Sequence, residues 1–175
     1  MEEKLKKIRA FVFDVDGVFT DGGILATADG DLFRVFDSKD SFGLRMAYMN
    51  GYHVGVISGG ISESIRKRFR TCAVPEDNIY LGSRDKMEDF GHFCSKYSLT
   101  PDEVMYFGDD LPDIPVMAAC GYSVCPCDAV EEVKAIADYI SARPGGKGCV
   151  REALEMAMKL QNKWQLDIET YKNKF

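Results

Sequence analysis

The chain has 175 residues, of which 46% are hydrophobic and 29% charged, so it holds one domain's worth of sequence and enough apolar material for a core. A net charge of -6 argues against nucleic acid or an anionic membrane surface, either of which selects a basic face, while leaving open a small anion held by a local basic cluster. No apolar run approaches the roughly 18–20 residues needed to span a bilayer.

The opening MEEKLKKIRA has no signal-type apolar segment, so a cytoplasmic location is expected. The six cysteines are then expected to be reduced and structural, since Cys125-Pro-Cys127 is the only close pair and lacks C-x-x-C spacing.

In chain order, Ile8–Val15 reads as a buried strand, apolar on both faces. Ile24–Thr27 and Leu32–Phe36 flank the turn sequence ADGD, which predicts a β-hairpin. Helical spacing over Ser41–Asn50 stops at Asn50-Gly51, and Tyr52–Ile57 is a second core strand. A helix over Ile61–Arg70 follows Ser58-Gly59-Gly60. Then come a short strand Asn78–Leu81, a helix over about Lys86–Tyr97, a capped turn at Thr100 and a strand Val104–Phe107. A helix near Ile114–Ala119 precedes strands at Tyr122–Cys125 and Tyr139–Ser141, with a helix at Val130–Ala137 between them. The last helix starts at about Val150 and runs into a polar tail. Alternating strands and helices predict an α/β protein: one domain built on a parallel sheet with helices on both faces.

In open α/β sheets the ligand sits beyond the carboxyl ends of the strands, which makes strand-end polar residues the ones to collect. The first strand ends in Asp14-Val15-Asp16-Gly17 and the second in Ser58-Gly59-Gly60. Lys86 follows the third, and Asp109-Asp110-Leu111-Pro112-Asp113 the fourth. Each signal has an ordinary explanation when taken alone: a solvated D-x-D, a serine turn, a surface lysine, an acidic helix cap. Together they suit phosphoryl transfer. Asp14 and Asp109 are placed to share Mg²⁺, a hard cation that prefers oxygen ligands. Asp14 is then a nucleophile toward phosphorus, and Asp16 a general acid and base. Ser58 with the amides after it binds phosphate oxygens, and Lys86 supplies positive charge. Asp21, beyond the pair, is read as shaping the hairpin entrance. His53 and His92, away from strand ends, are read as structural.

In FDVDGVFTDG, VISGG, Lys86 and FGDDLPD, taken in order, the chain resembles the haloacid dehalogenase (HAD) superfamily of phosphatases. The resemblance implies a Rossmann-like HAD fold with Asp14 as nucleophile and Asp16 as acid and base. It makes Ser58 and Lys86 phosphate binders. It also implies Mg²⁺ held by the Asp14 side chain, the Asp16 backbone carbonyl and Asp109, with Asp110 and Asp113 in support. The interval Asp14–Ser58 is filled by the hairpin, a helix and a strand, and Lys86–Asp109 by one helix and one strand. No cap domain fits in either.

Over residues 8–155 the segments DVDGVFTDG, CPCDAV, ADYIS and PGGKGCVRE resemble the capless 3-deoxy-D-manno-octulosonate 8-phosphate phosphatases. That likeness implies a Mg²⁺-dependent phosphatase of lipopolysaccharide sugar biosynthesis. It also implies a homotetramer in which hairpins help assembly and a neighbouring subunit completes each site. The Leu32/Phe33/Val35/Phe36 edge is expected to be exposed accordingly. Substrate contacts carried over from the family fall at Asp16, Asp37, Ser38, Lys39, Asp40, Ser41, Arg45, Ser58, Gly59, Gly60, Arg68 and Lys86. Two positions depart from it: Gly60 stands where many relatives have arginine, and Cys149 replaces an alanine and is read as packing. Lys147 is read as a surface lysine. The alternatives are a phosphatase of a nine-carbon ketodeoxy sugar acid, a phosphotransferase on the same chemistry, or a non-catalytic binding module.

Overall fold

The computed structural model describes residues 2–174. Six strands form one wholly parallel sheet: β1 (Ala10–Phe13), β4 (His53–Ser58), β5 (Ile79–Leu81), β6 (Val104–Phe107), β7 (Tyr122–Cys125) and β8 (Tyr139–Ile140), in the order β5-β4-β1-β6-β7-β8. The remaining two, β2 (Leu25–Ala26) and β3 (Leu32–Phe33), pair antiparallel in the separate hairpin.

Alternation along β1 divides the core. Phe11 and Phe13 face a cluster with Leu44, Phe69, Leu154 and Met158, contributed by α2 (Ser38–Met49), α3 (Glu63–Arg70) and α7 (Cys149–Leu160). Ala10 and Val12 face Phe90, Phe93, Val116 and Val133 from α4 (Lys86–Lys96), α5 (Ile114–Ala119) and α6 (Glu131–Lys134). Such two-sided burial explains why these strands read as continuous apolar runs. The chain builds outward from β1 through β4 to β5, then returns to β6 on the other side of β1. The strand order therefore reverses at β1, and a crevice opens at its carboxyl end.

Several boundaries differ from the sequence reading. Helix α2 starts at Ser38, three residues early, because Asp37 caps it by accepting hydrogen bonds from the Lys39 and Asp40 amides. Two terminal helices, α1 (Glu2–Lys6) and α8 (Ile168–Lys174), lie outside the predicted elements. The hairpin strands are shorter than expected, and its two ends behave differently. Leu25, Phe33 and Val35 are exposed, but Phe36 turns inward onto Phe69, with ring centroids 5.8 Å apart. Phe36 is therefore partly buried against the core and does not belong to the exposed edge.

Candidate active site

Each strand delivers its polar residue to the crevice where its apolar run stops. Asp14 follows β1, with its amide bonded to the Phe107 carbonyl at the end of β6. Ser58 ends β4, Lys86 opens α4, and Asp109 and Asp110 follow β6. A cavity of about 470 Å³ is lined by Asp14, Asp16, Gly22, Ser58, Gly59, Gly60, Ser83, Arg84, Lys86, Asp109, Asp110 and Pro112.

At its floor the buried Lys86 ammonium donates to Asp14 at 3.0 Å and to Asp113 at 2.7 Å. Asp113 is fully used. One oxygen accepts from Lys86 and the Tyr106 hydroxyl, the other from the Asp109 and Asp110 amides. Asp110 caps the turn through the Leu111 amide at 2.7 Å. Asp14, Asp109 and Asp113 each bring a carboxylate oxygen within 4.8 Å of the others. One lysine does not balance them. Burial, then the Asp113 charge, pushes Asp14 up to about 7 against the opposing Lys86. Burial, then Asp14 and Asp113, pushes Asp109 up to about 8. Burial works against the Lys86 charge, yet Asp14 and Asp113 together hold its pKa above the ordinary lysine value. Asp109 Oδ1 is buried with no hydrogen-bond partner. An excess of hard oxygen donors with one orphaned atom fits a divalent cation, and Asp113, with both oxygens occupied, fits a buttress.

The loop after β1 tolerates only a close approach of backbone. A Cβ on Gly17, at φ +87°, would lie 2.0 Å from Asp109 Oδ2. The PGGKG loop packs on the same turn: a Cβ on Gly145 would lie 1.9 Å from the Gly17 carbonyl oxygen. Asp21 accepts from the Gly23 amide at 3.0 Å, the turn role expected of it, and Cys149 is buried in the core. Ser58 is buried, and its Oγ accepts from the Gly60 amide at 3.1 Å. His53 stacks on Tyr97 and His92 bonds the Tyr80 hydroxyl, both outside the cavity lining.

The expected substrate contacts divide into two groups. Asp16, Ser58, Gly59, Gly60 and Lys86 line the cavity; Asp37, Ser38, Lys39, Asp40, Ser41, Arg45 and Arg68 do not. Asp40 is buried and caps α7, accepting from the Gly148 amide at 3.0 Å and the Arg151 amide at 2.7 Å. Arg45 donates to the Thr71 carbonyl and the Tyr171 hydroxyl, and Arg68 donates to the Ser41 hydroxyl and lies over the Phe36 ring. Within one chain these groups serve the fold. Asp37 and Lys39 line a second cavity of about 520 Å³ with Lys147 and Arg151.

Residues 77–151 match the haloacid dehalogenase-like hydrolase family. The 3-deoxy-D-manno-octulosonate 8-phosphate phosphatase KdsC of Escherichia coli K12 is 34% identical over 160 residues, covering 91% of this chain and 84% of that protein. The chain belongs to the 3-deoxy-D-manno-octulosonate 8-phosphate phosphatase family. A family structure from Moraxella catarrhalis, in complex with magnesium, phosphate and KDO, superposes with a TM-score of 0.90 at 30% identity, covering 97% of each chain. The cobalt-bound phosphatase of Haemophilus influenzae gives 0.88 at 32% identity, covering 98% of this chain and 99% of that one.

Three polar groups beside the site escaped the sequence reading. Arg84 and Ser83 line the cavity two and three residues before Lys86, a basic, polar run that carried a usable signal. Arg34 donates to both oxygens of Asp16 from the hairpin. Nothing but the strand alternation around it marked that residue.

Proposed function

We propose that this chain is a phosphoric monoester hydrolase that cleaves 3-deoxy-D-manno-octulosonate 8-phosphate to the free sugar acid and phosphate. The observation that carries the reading is the floor of the crevice, where Asp14 and Asp109 lie beside a single buried lysine and Asp109 keeps an unpartnered oxygen. Asp14 attacks phosphorus and Asp16 protonates the leaving sugar oxygen; Asp16 then takes a proton from the water that hydrolyses the aspartyl phosphate. Ser58, the Gly59 and Gly60 amides and Lys86 hold the phosphate oxygens. Mg²⁺ is the cofactor, held by the Asp14 and Asp109 side chains and the Asp16 backbone carbonyl, and when bound it neutralises charge between carboxylate and phosphate. Asp110 and Asp113 support this set.

The KDO bound in the Moraxella relative favours the eight-carbon sugar acid over the nine-carbon alternative. Residues 1–175 act as one catalytic domain, with no cap to select substrate. Among the described residues no helix is long and apolar enough to cross a membrane, and we place the enzyme in the cytoplasm. We further infer a homotetramer. Leu25, Phe33 and Val35 leave an apolar edge on the hairpin, and Ser38 and Lys39 are exposed where a neighbour's site can meet them.

Phosphate release from a panel of eight- and nine-carbon sugar-acid phosphates and hexose phosphates tests the reading. Mg²⁺-dependent turnover that favours the eight-carbon ester and is lost in Asp14→Asn is expected. Equal turnover of hexose phosphates would remove the substrate assignment, and full activity of Asp14→Asn would remove the mechanism.

A further inference from the structure

Arg34 is the hairpin's only basic residue, and it does not share its neighbours' exposure. Phe33 and Val35 are 55% and 76% exposed, whereas the Arg34 side chain is 3% exposed. Successive side chains of an extended segment point to opposite faces, so the apolar pair faces out and the guanidinium faces in. There it grips Asp16 as a fork, with Nε donating to Oδ1 at 2.6 Å and Nη2 to Oδ2 at 3.0 Å. Nη1 is buried without a partner, so it is the two bonds to Asp16 that hold the group.

Position 60 is matched to this arrangement. A Cβ on Gly60 would lie 3.3 Å from Arg34 Nη2 and 2.8 Å from Ile65 Cδ1. The glycine thus leaves the space beside which the guanidinium reaches Asp16. Bidentate arginine–carboxylate pairs fix the plane of the carboxylate as well as its distance. Asp16 otherwise stands at the cavity wall, its side chain 28% exposed, and among the described residues no second side chain bonds its carboxylate.

We propose that Arg34 is a positioning residue for Asp16, through which the hairpin sets proton transfer to the leaving group. The inference rests on the phosphatase reading above. A carboxyl group held by a fork keeps a lone pair on each oxygen, so the pairing with Arg34 leaves Asp16 a free acceptor site toward the leaving group. In the first half-reaction the bond from Asp14 to phosphorus forms and the bond from phosphorus to the leaving oxygen breaks. The Asp16 proton passes to that oxygen. In the second, water attacks phosphorus, its proton goes to Asp16 and the Asp14–phosphorus bond breaks. Arg34 exchanges no proton in either step and acts by orientation.

Help from a general acid matters most for a basic leaving oxygen such as a sugar hydroxyl and least for nitrophenolate. The test is therefore a leaving-group series, running from 4-nitrophenyl phosphate through phenyl phosphate to an alkyl phosphate, with Mg²⁺ saturating. It is read for wild type, Arg34→Gln and Arg34→Lys, with folding checked by thermal unfolding. Both variants should lose about 10- to 100-fold in kcat/KM, which covers only the steps through cleavage of the ester bond, on the alkyl ester and less than about 3-fold on the nitrophenyl ester. Arg34→Lys keeps the charge but cannot hold both oxygens, and it should stay close to Arg34→Gln. Equal losses along the series, or full rescue by lysine, would each overturn the inference while leaving the phosphatase reading standing. A wild-type protein that hydrolyses neither the series nor 3-deoxy-D-manno-octulosonate 8-phosphate would overturn both.

Discussion

Lys86→Met is the substitution that most directly probes the floor of the site. The ammonium sits 3.0 Å from Asp14 and 2.7 Å from Asp113, and its side chain is 7% exposed. Methionine keeps an unbranched apolar stem of similar length and removes the charge. Taking one partner from a buried ion pair costs about 3–5 kcal/mol, because the remaining charge is left unpaired, and here two carboxylates lose the same cation. Acidification should return part of that loss. Asp14 and Asp109 are held at about 7 and about 8, with Lys86 the opposing influence on both, so removing it raises them further. A carboxyl whose folded pKa exceeds its unfolded value binds more protons when folded. Its stability contribution therefore falls as pH rises through that window and recovers as pH falls. At about 1.4 kcal/mol per unit, the deficit relative to wild type should shrink by roughly 1–3 kcal/mol between pH 8.5 and pH 6. Urea unfolding in EDTA, followed by Trp164 fluorescence, measures it. A deficit below about 1 kcal/mol at pH 8.5, or one that grows on acidification, would refute the ion-pair reasoning.

Gly17→Ala puts a methyl group 2.0 Å from Asp109 Oδ2 at a left-handed φ, so phosphate release should fall by about 100-fold or more and the Mg²⁺ needed for half-activity should rise; activity within about threefold of wild type would contradict it. Asp40→Ala removes the acceptor for two α7 amides and should cost about 2–4 kcal/mol in urea unfolding, with kcat/KM nearly unchanged while the protein is folded. A tenfold rise in KM at unchanged stability would return Asp40 to the substrate. Phe33→Asp combined with Val35→Asp should shift the mass seen by light scattering from the proposed tetramer to smaller species, and an unchanged mass would exclude the hairpin as the assembly surface.

The sheet was legible because its strands are buried on both faces and end in clustered polar residues, so apolar runs and punctuation coincide. Asp14, Ser58, Lys86 and Asp109 were legible for the same reason, since strand ends are where the architecture puts ligands. Asp40 was not: it lies in the first turn of a helix, and the amides it caps are over a hundred residues away in the chain. The place of Arg45 was hidden likewise, because its partners Thr71 and Tyr171 come from distant segments. Helix α1 is five residues long, too short for propensity to form it. Leu5 holds it in the core, and Gln161 donates to the Leu5 and Ile8 carbonyls. What the sequence hid is whatever depends on a partner brought by the fold.

That distinction also separates the acidic residues of the crevice. Asp113 is the most buried of them, yet its four hydrogen bonds leave it nothing to offer a ligand. It orients Lys86 and the two amides that follow β6, and so fixes where Asp109 stands. Asp109 keeps one oxygen unpartnered and the other against Gly17, where no side chain is tolerated. Asp16 stands at the wall with both oxygens held from the hairpin. Three carboxylates close in space thus answer to three different constraints: a satisfied network, an unmet charge and a fork from outside the sheet. The unmet charge calls for a cation, and the fork ties the hairpin, with its exposed apolar edge, to the chemistry of the crevice.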